Sequence, residues 1–135
     1  MRTRILIGAA IALAVLSAQP RNVWNGVYTK DQATRGKPLY EQNCGACHGQ
    51  SLEGVEMAPA LTGGEFQDKW IGQTLGDLFE RIRTTMPQDK PGRLSRDVNT
   101  DILAYILSVN AYPAGSTEMP RDTQVLKQIL ITAKQ

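Results

Sequence analysis

Two thiols and one imidazole stand together in Cys44-Gly45-Ala46-Cys47-His48, and the chain has no other cysteine or histidine. Such a group could hold a metal, cycle as a dithiol, close as a disulfide or anchor a prosthetic group. A structural zinc site needs four ligands, and only three of the right kind exist. A thioredoxin-type redox pair belongs in a βαβ setting, which the patterning described below does not provide. A plain disulfide would leave His48 without a purpose. The spacing Cys-x-x-Cys-His is instead that of c-type haem attachment. Two intervening residues let both sulfurs reach the vinyl positions along one haem edge, and the adjacent histidine turns its ring nitrogen toward the iron. Cys44 and Cys47 are therefore expected to hold one haem c covalently, with His48 as an iron ligand.

The second axial ligand must come from elsewhere, because histidine is exhausted. Beyond the initiator, the methionines are Met57, Met86 and Met119. Met57 follows His48 closely, with Pro59 just behind, and would struggle to reach the opposite haem face. Met119 comes late and is flanked by Pro120. Met86 has a whole helix with which to cross the haem edge, and Pro87 holds it extended. A core methionine is more often filler than ligand. A His/Met haem nevertheless needs one distal sulfur, and Met86 is the best placed. Trp70 and Arg83 could each donate to a haem propionate; equally, Trp70 could anchor a loop and Arg83 could lie on a solvated helix face. Lys90 and Arg93 carry similar chemistry with less to place them.

The elements that must position these groups are helical. Thr29-Lys30-Asp31-Gln32 fits a capping box and predicts a helix toward Asn43, with a kink or fresh start at Pro38. Residues 49 to 73, rich in glycine, read as a long loop with at most one short turn of helix. Thr74 caps a second helix, striped by Leu75, Leu78, Phe79 and Ile82 and ending before Met86-Pro87. A turn-rich stretch from Gln88 to Arg93 follows. The third helix, from about Arg96 to Val109, aligns Val98, Ile102, Tyr105, Ile106 and Val109. Pro113, Gly115 and Pro120 break the chain before a last helix, capped by Asp122 or Thr123 and striped by Leu126, Ile129, Leu130 and Ala133. No alternating strand pattern is present, so the predicted class is all-α.

Residues 1–18 have a different grammar. Arg2 and Arg4 precede the uncharged run Ile5 to Ala18, too short for a span of about 20 residues but right for a secretory signal. Residues 19–135 then form one domain, exported to the periplasm or its equivalent, with no stable membrane span. The formal +2 charge comes from 15 basic and 13 acidic residues; without Arg2 and Arg4, 13 face 13. Nothing in that balance favours a nucleic-acid partner.

Across most of residues 19–135 the sequence resembles a class I cytochrome c. Gly36 and Tyr40 precede the haem motif at that family's spacing, and Tyr105 stands where its C-terminal helix supplies a packing aromatic. Ala58-Pro59-Ala60-Leu61 resembles the GPxL segment, with alanine in place of glycine. The resemblance implies that the Pro59 carbonyl accepts the second N–H of His48, a bond that fixes the imidazole tautomer. It also implies the cytochrome c fold, three to four helices around one haem, here with an extra C-terminal helix. A narrower resemblance runs through Gly26-Val27-Tyr28-Thr29, RGKPLYEQNCGACHG, TTMPQDKPGRLS and NAYPAGSTEMP, which look like cytochromes associated with quinoprotein alcohol dehydrogenases. It implies a quinoprotein dehydrogenase as electron donor and a respiratory oxidase as acceptor. With both axial places filled, the expected role is one-electron transfer rather than catalysis. The alternatives are a haem enzyme or gas sensor with a labile distal methionine, and a fixed subunit of a larger complex.

Overall fold

The structure, a computed structural model, describes residues 21–134. The predicted signal segment, residues 1–18, lies outside the described residues. The elements in chain order are β1 (Arg21–Asn22), a 3-10 turn (Val23–Asn25), α1 (Lys30–Asn43), α2 (Gly45–His48), α3 (Gly63–Trp70), α4 (Leu75–Thr85), α5 (Arg96–Val109), α6 (Thr123–Leu126) and β2 (Ile129–Leu130).

Local chemistry accounts for the helix starts. The Thr29 hydroxyl accepts from the Gln32 amide while the Gln32 side chain accepts from the Thr29 amide, a complete capping box. Thr74 and Asp77 repeat the device at α4. Ser95 caps α5, and Asp122 caps α6 through the amides of Gln124 and Val125. Helix α1 continues through Pro38 as one helix, with no fresh start there.

Two expectations need correction. The glycine-rich stretch holds a full two-turn helix, α3, because Phe66 and Trp70, four residues apart, both enter the core. The last helix is a single turn. Beyond it Ile129 and Ile131 are buried and Leu130 is exposed, a period of two rather than 3.6. This segment pairs as β2, parallel to β1, and Ile131 exchanges backbone hydrogen bonds with Gly72 and Gln73. These partners are distant in sequence, so no local pattern announces them.

The core is built on the crossing of α1 and α5. Gly36 lies directly against α5, where a Cβ would overlap the Asp101 carbonyl and crowd Tyr105. One turn along, the Tyr40 and Tyr105 rings meet at 5.5 Å between centroids. The buried surface of α5 is wider than one stripe and includes Asn99, Thr100, Leu103, Ala104 and Leu107 beside Ile102 and Ile106. On the far side Leu75, Leu78 and Phe79 of α4 complete the core.

Gly36→Ala should therefore lower stability by about 1–3 kcal/mol, the usual cost of overpacking, measured as a lower urea midpoint at unchanged slope. A neutral effect would mean that the helices can separate at this crossing without loss.

Candidate functional site

Helix α1 ends where the chemistry begins. Cys44 follows Asn43 and opens the single turn α2, which carries Cys47 and His48. The Cys44 carbonyl accepts from the amides of Cys47 and His48, so the turn holds the three side chains at one-turn spacing. Both cysteines are free thiols; Cys47 is exposed and Cys44 partly buried. Burial pushes the Cys44 thiol up to about 11, against a lowering by the nearby Arg93 guanidinium. Among the described residues no group of three or more His, Cys, Asp or Glu is gathered to hold a metal ion.

His48 is 8% exposed, and its Nδ1 lies 2.8 Å from the Pro59 carbonyl. A carbonyl can only accept, so Nδ1 carries a proton and donates it, which in the neutral ring leaves the lone pair on Nε2. The loop that delivers Pro59 is fastened at several points. The Leu61 amide donates to the Leu52 carbonyl, and the Gly54 amide to His48. Asn110, at the end of α5, donates to the Leu61 carbonyl and accepts from the Gly63 amide. Tyr40 donates its hydroxyl to the Gly49 carbonyl at 2.8 Å, tying α1 to the residue after His48.

The three methionines have separate fates. Met57 is 92% exposed and Met119 is 3% exposed within the core. The Met119 amide is held by Gln32. Met86 caps the end of α4 with extended backbone, its amide on the Ile82 carbonyl, and its side chain is partly exposed. Trp70 is buried at the end of α3. Arg83 makes a two-pronged contact with Glu80, at 3.0 Å through Nε and 2.7 Å through Nη2.

Glu80 is the centre of a polar clamp that joins three helices. It accepts from Arg83 on α4 and from the Thr123 hydroxyl on α6, and it lies 4.0 Å from Arg96 on α5. Hydrogen bonds from Arg83 first, then Thr123, hold its carboxyl down at about 2.

Sequence patterning did not single out Asn110, Asn99 or Asn43. Each acts through a side-chain amide on backbone or on a distant residue, and only the position of Asn43 beside the Cys-x-x-Cys-His motif offered a cue. Two of the four segments behind the narrower resemblance, residues 26–29 and 110–120, pack on one another. Tyr28 donates to the Tyr112 carbonyl at 2.6 Å, the Gly115 amide donates to Tyr28 at 2.7 Å, and Trp24 meets the Tyr112 ring edge-on.

A helical domain that presents two free thiols and a tautomer-fixed imidazole in this order has the makings of a cytochrome c. A family profile described as cytochrome c oxidase, cbb3-type, subunit III matches residues 31–106, and the chain belongs to that family of cytochrome c domains. It is 30% identical to the cytochrome bc1 complex cytochrome c subunit of Corynebacterium diphtheriae, over 76% of this chain and 36% of that protein. It is 31% identical to cytochrome c-554(547) of Halothiobacillus neapolitanus, over 67% of this chain and 86% of that one. A cbb3-type cytochrome c oxidase subunit CcoP of Azospirillum is 26% identical over 67% of this chain and 35% of the subunit. The chain thus spans about a third of the complex subunits it matches. Among solved structures, the sulfane dehydrogenase SoxCD of Paracoccus pantotrophus aligns with a TM-score of 0.51 at 21% identity, covering 93% of this chain and 66% of that one. The helices thus form the cytochrome c fold.

A cytochrome c domain is one that carries covalently bound haem c, and the residues present fit that group. Two unpaired thiols sit one turn apart, and the adjacent imidazole has its Nδ1 already committed to Pro59.

The Glu80 clamp has a pH signature. A carboxyl held below its unfolded value of 4.5 stabilises the fold above that pH, and the contribution is lost as pH falls toward 2. Glu80→Gln should cost about 1 kcal/mol near neutral pH, with the gap to the native protein closing between about pH 4.5 and 2. A gap that is independent of pH would show that the carboxylate charge contributes nothing.

Proposed function

We propose that the chain is an exported one-electron carrier whose single haem c would be held covalently by Cys44 and Cys47 and ligated by His48 and Met86. The observation that carries this reading is the hydrogen bond from His48 Nδ1 to the Pro59 carbonyl. It leaves Nε2 as the free donor atom and raises its basicity as a ligand. When bound, the haem supplies an Fe(II)/Fe(III) couple.

The residues around it serve that couple by holding still. Asn110 and the Leu52–Leu61 bond fix the loop behind His48, which limits ligand motion between oxidation states. The Met86 thioether favours the ferrous state and should raise the potential relative to bis-histidine ligation. Leu61, Ile82, Leu94 and Val98 are apolar side chains only partly covered by the core, suited to packing on an apolar plate. Trp70 and Arg83 are propionate donors in this reading, with Arg83 still paired to Glu80. Exposed Cys47 marks the edge at which a redox partner would approach, through a small interface.

Export rests on the signal-like run in residues 1–18. Among the described residues no helix is long and apolar enough to cross a membrane. A quinoprotein dehydrogenase as donor is supported by the narrower sequence resemblance, carried by Gly26-Val27-Tyr28-Thr29, RGKPLYEQNCGACHG, TTMPQDKPGRLS and NAYPAGSTEMP together. A respiratory oxidase as acceptor is supported by the oxidase and bc1 subunits among the relatives.

Met86→Ala should abolish the weak far-red sulfur-to-iron band of the ferric protein and lower the potential, while the same change at Met57 or Met119 leaves the band in place. The reduced unsubstituted protein should resist carbon monoxide, and Met86→Ala should take it readily. Prompt carbon monoxide binding by the unsubstituted protein would favour the sensor or enzyme reading instead.

A further inference from the structure

We infer that the hydrogen bond from Arg93 to Asn43 is a latch that sets how readily Met86 leaves the haem iron. The inference rests on the reading of Met86 as distal ligand.

Asn43 is the last residue of α1, next to Cys44. Its Nδ2 donates to the Leu39 carbonyl at 2.7 Å, so the carboxamide is fixed and its oxygen is aimed away from its own helix. Arg93 Nη2 donates to that oxygen at 2.7 Å. Arg93 belongs to the segment that begins with Met86, and Asn43 to the one that continues into Cys44, Cys47 and His48. The bond therefore joins the distal side of the haem site to the proximal side.

The rest of the distal segment is anchored only to its own side. Upstream, the Met86 amide is held by Ile82 of α4. Downstream, the Leu94 and Ser95 carbonyls both accept from Asn99 Nδ2, at 3.0 and 2.9 Å, and Asn99 is fully buried in α5. Between these roots the segment has two internal backbone bonds, Lys90 to Pro87 at 3.0 Å and Arg93 to Lys90 at 3.4 Å, and residues 88 to 93 are exposed. Among the described residues, no other hydrogen bond or ion pair joins residues 86–95 to residues 43–48. Pulling the Met86 sulfur off iron requires this exposed span to swing outward between fixed roots, and the Arg93–Asn43 bond is the contact that resists the swing.

The test uses ferric holoprotein and imidazole, a neutral probe, with loss of the far-red band followed by stopped flow at low temperature. One charge-assisted hydrogen bond at an exposed site sets the scale of the effect. Arg93→Ala and Asn43→Ala should each raise the imidazole binding rate about fivefold. The double variant should gain no more than either single one, because both remove the same bond. Arg93→Lys should keep part of the protection. Arg121→Ala, which breaks an exposed ion pair with Asp97, should leave the rate unchanged. Native rates in both single variants would overturn the latch, even if their melting temperatures fall, since that is what a merely structural contact gives. Multiplying effects in the double variant would also overturn it. An unsubstituted ferric protein with no far-red band would overturn the Met86 reading first, and the latch with it.

Discussion

Helices α1 and α5 cross with Gly36 against the Asp101 carbonyl, and the residues of the candidate site take their positions from that contact. Cys44, Cys47 and His48 follow α1 without a linker, so their placement is inherited from the angle and height at which α1 meets α5. Tyr40 makes the dependence explicit. Its ring packs on Tyr105 of α5 while its hydroxyl holds the Gly49 carbonyl, so one side chain reads the crossing and transmits it to the residue after His48. At the other end of α5, Asn110 holds the loop that brings Pro59 to His48. The His48 imidazole is thus gripped from two sides by groups that all refer back to α5.

The Met86 side of the candidate site is built on different logic. Met86 stands at the end of α4, and α4 is tied to α5 and α6 through Glu80, Arg83, Arg96 and Thr123. The Arg96 guanidinium also lies over the Phe79 ring at 5.7 Å. This polar, partly exposed clamp contrasts with the buried aromatic contact on the proximal side. In the proposed function the difference matters: His48 would stay fixed, while Met86 would sit on a segment held across the site by one hydrogen bond, from Arg93 to Asn43.

Much of this could be read from residues alone where the physics is local. The capping box at Thr29 and the cap at Thr74 fall where the residues predict them. The α4 stripe ends at Met86-Pro87 as the proline requires. The closeness of Tyr40 to Tyr105 and of Pro59 to His48 came from resemblance rather than from spacing, and the described geometry has both contacts. Helix α3 was hidden because its glycines mask the Phe66–Trp70 pair. The C-terminal strand was hidden because leucine and isoleucine fit both periods, and only pairing with Arg21–Asn22 decides between them. The asparagine contacts of Asn43, Asn99 and Asn110 were illegible for a related reason: a polar side chain that serves a distant backbone leaves no periodic trace. Residues 26–29 and 110–120, two of the four segments that carried the narrower resemblance, prove to be one packed unit around Tyr28, Tyr112 and Gly115, a property of fold before any property of partner.

Covalent attachment of one haem through Cys44 and Cys47 is the central claim, and it can be tested without reference to any partner. The protein matured with the c-type haem assembly system is run on a denaturing gel, stained for haem and extracted with acid acetone. Two thioether bonds survive unfolding, so haem should stay with the polypeptide, and Cys44→Ser or Cys47→Ser should lower the yield of matured protein. Haem that extracts completely from the unsubstituted chain would contradict the account.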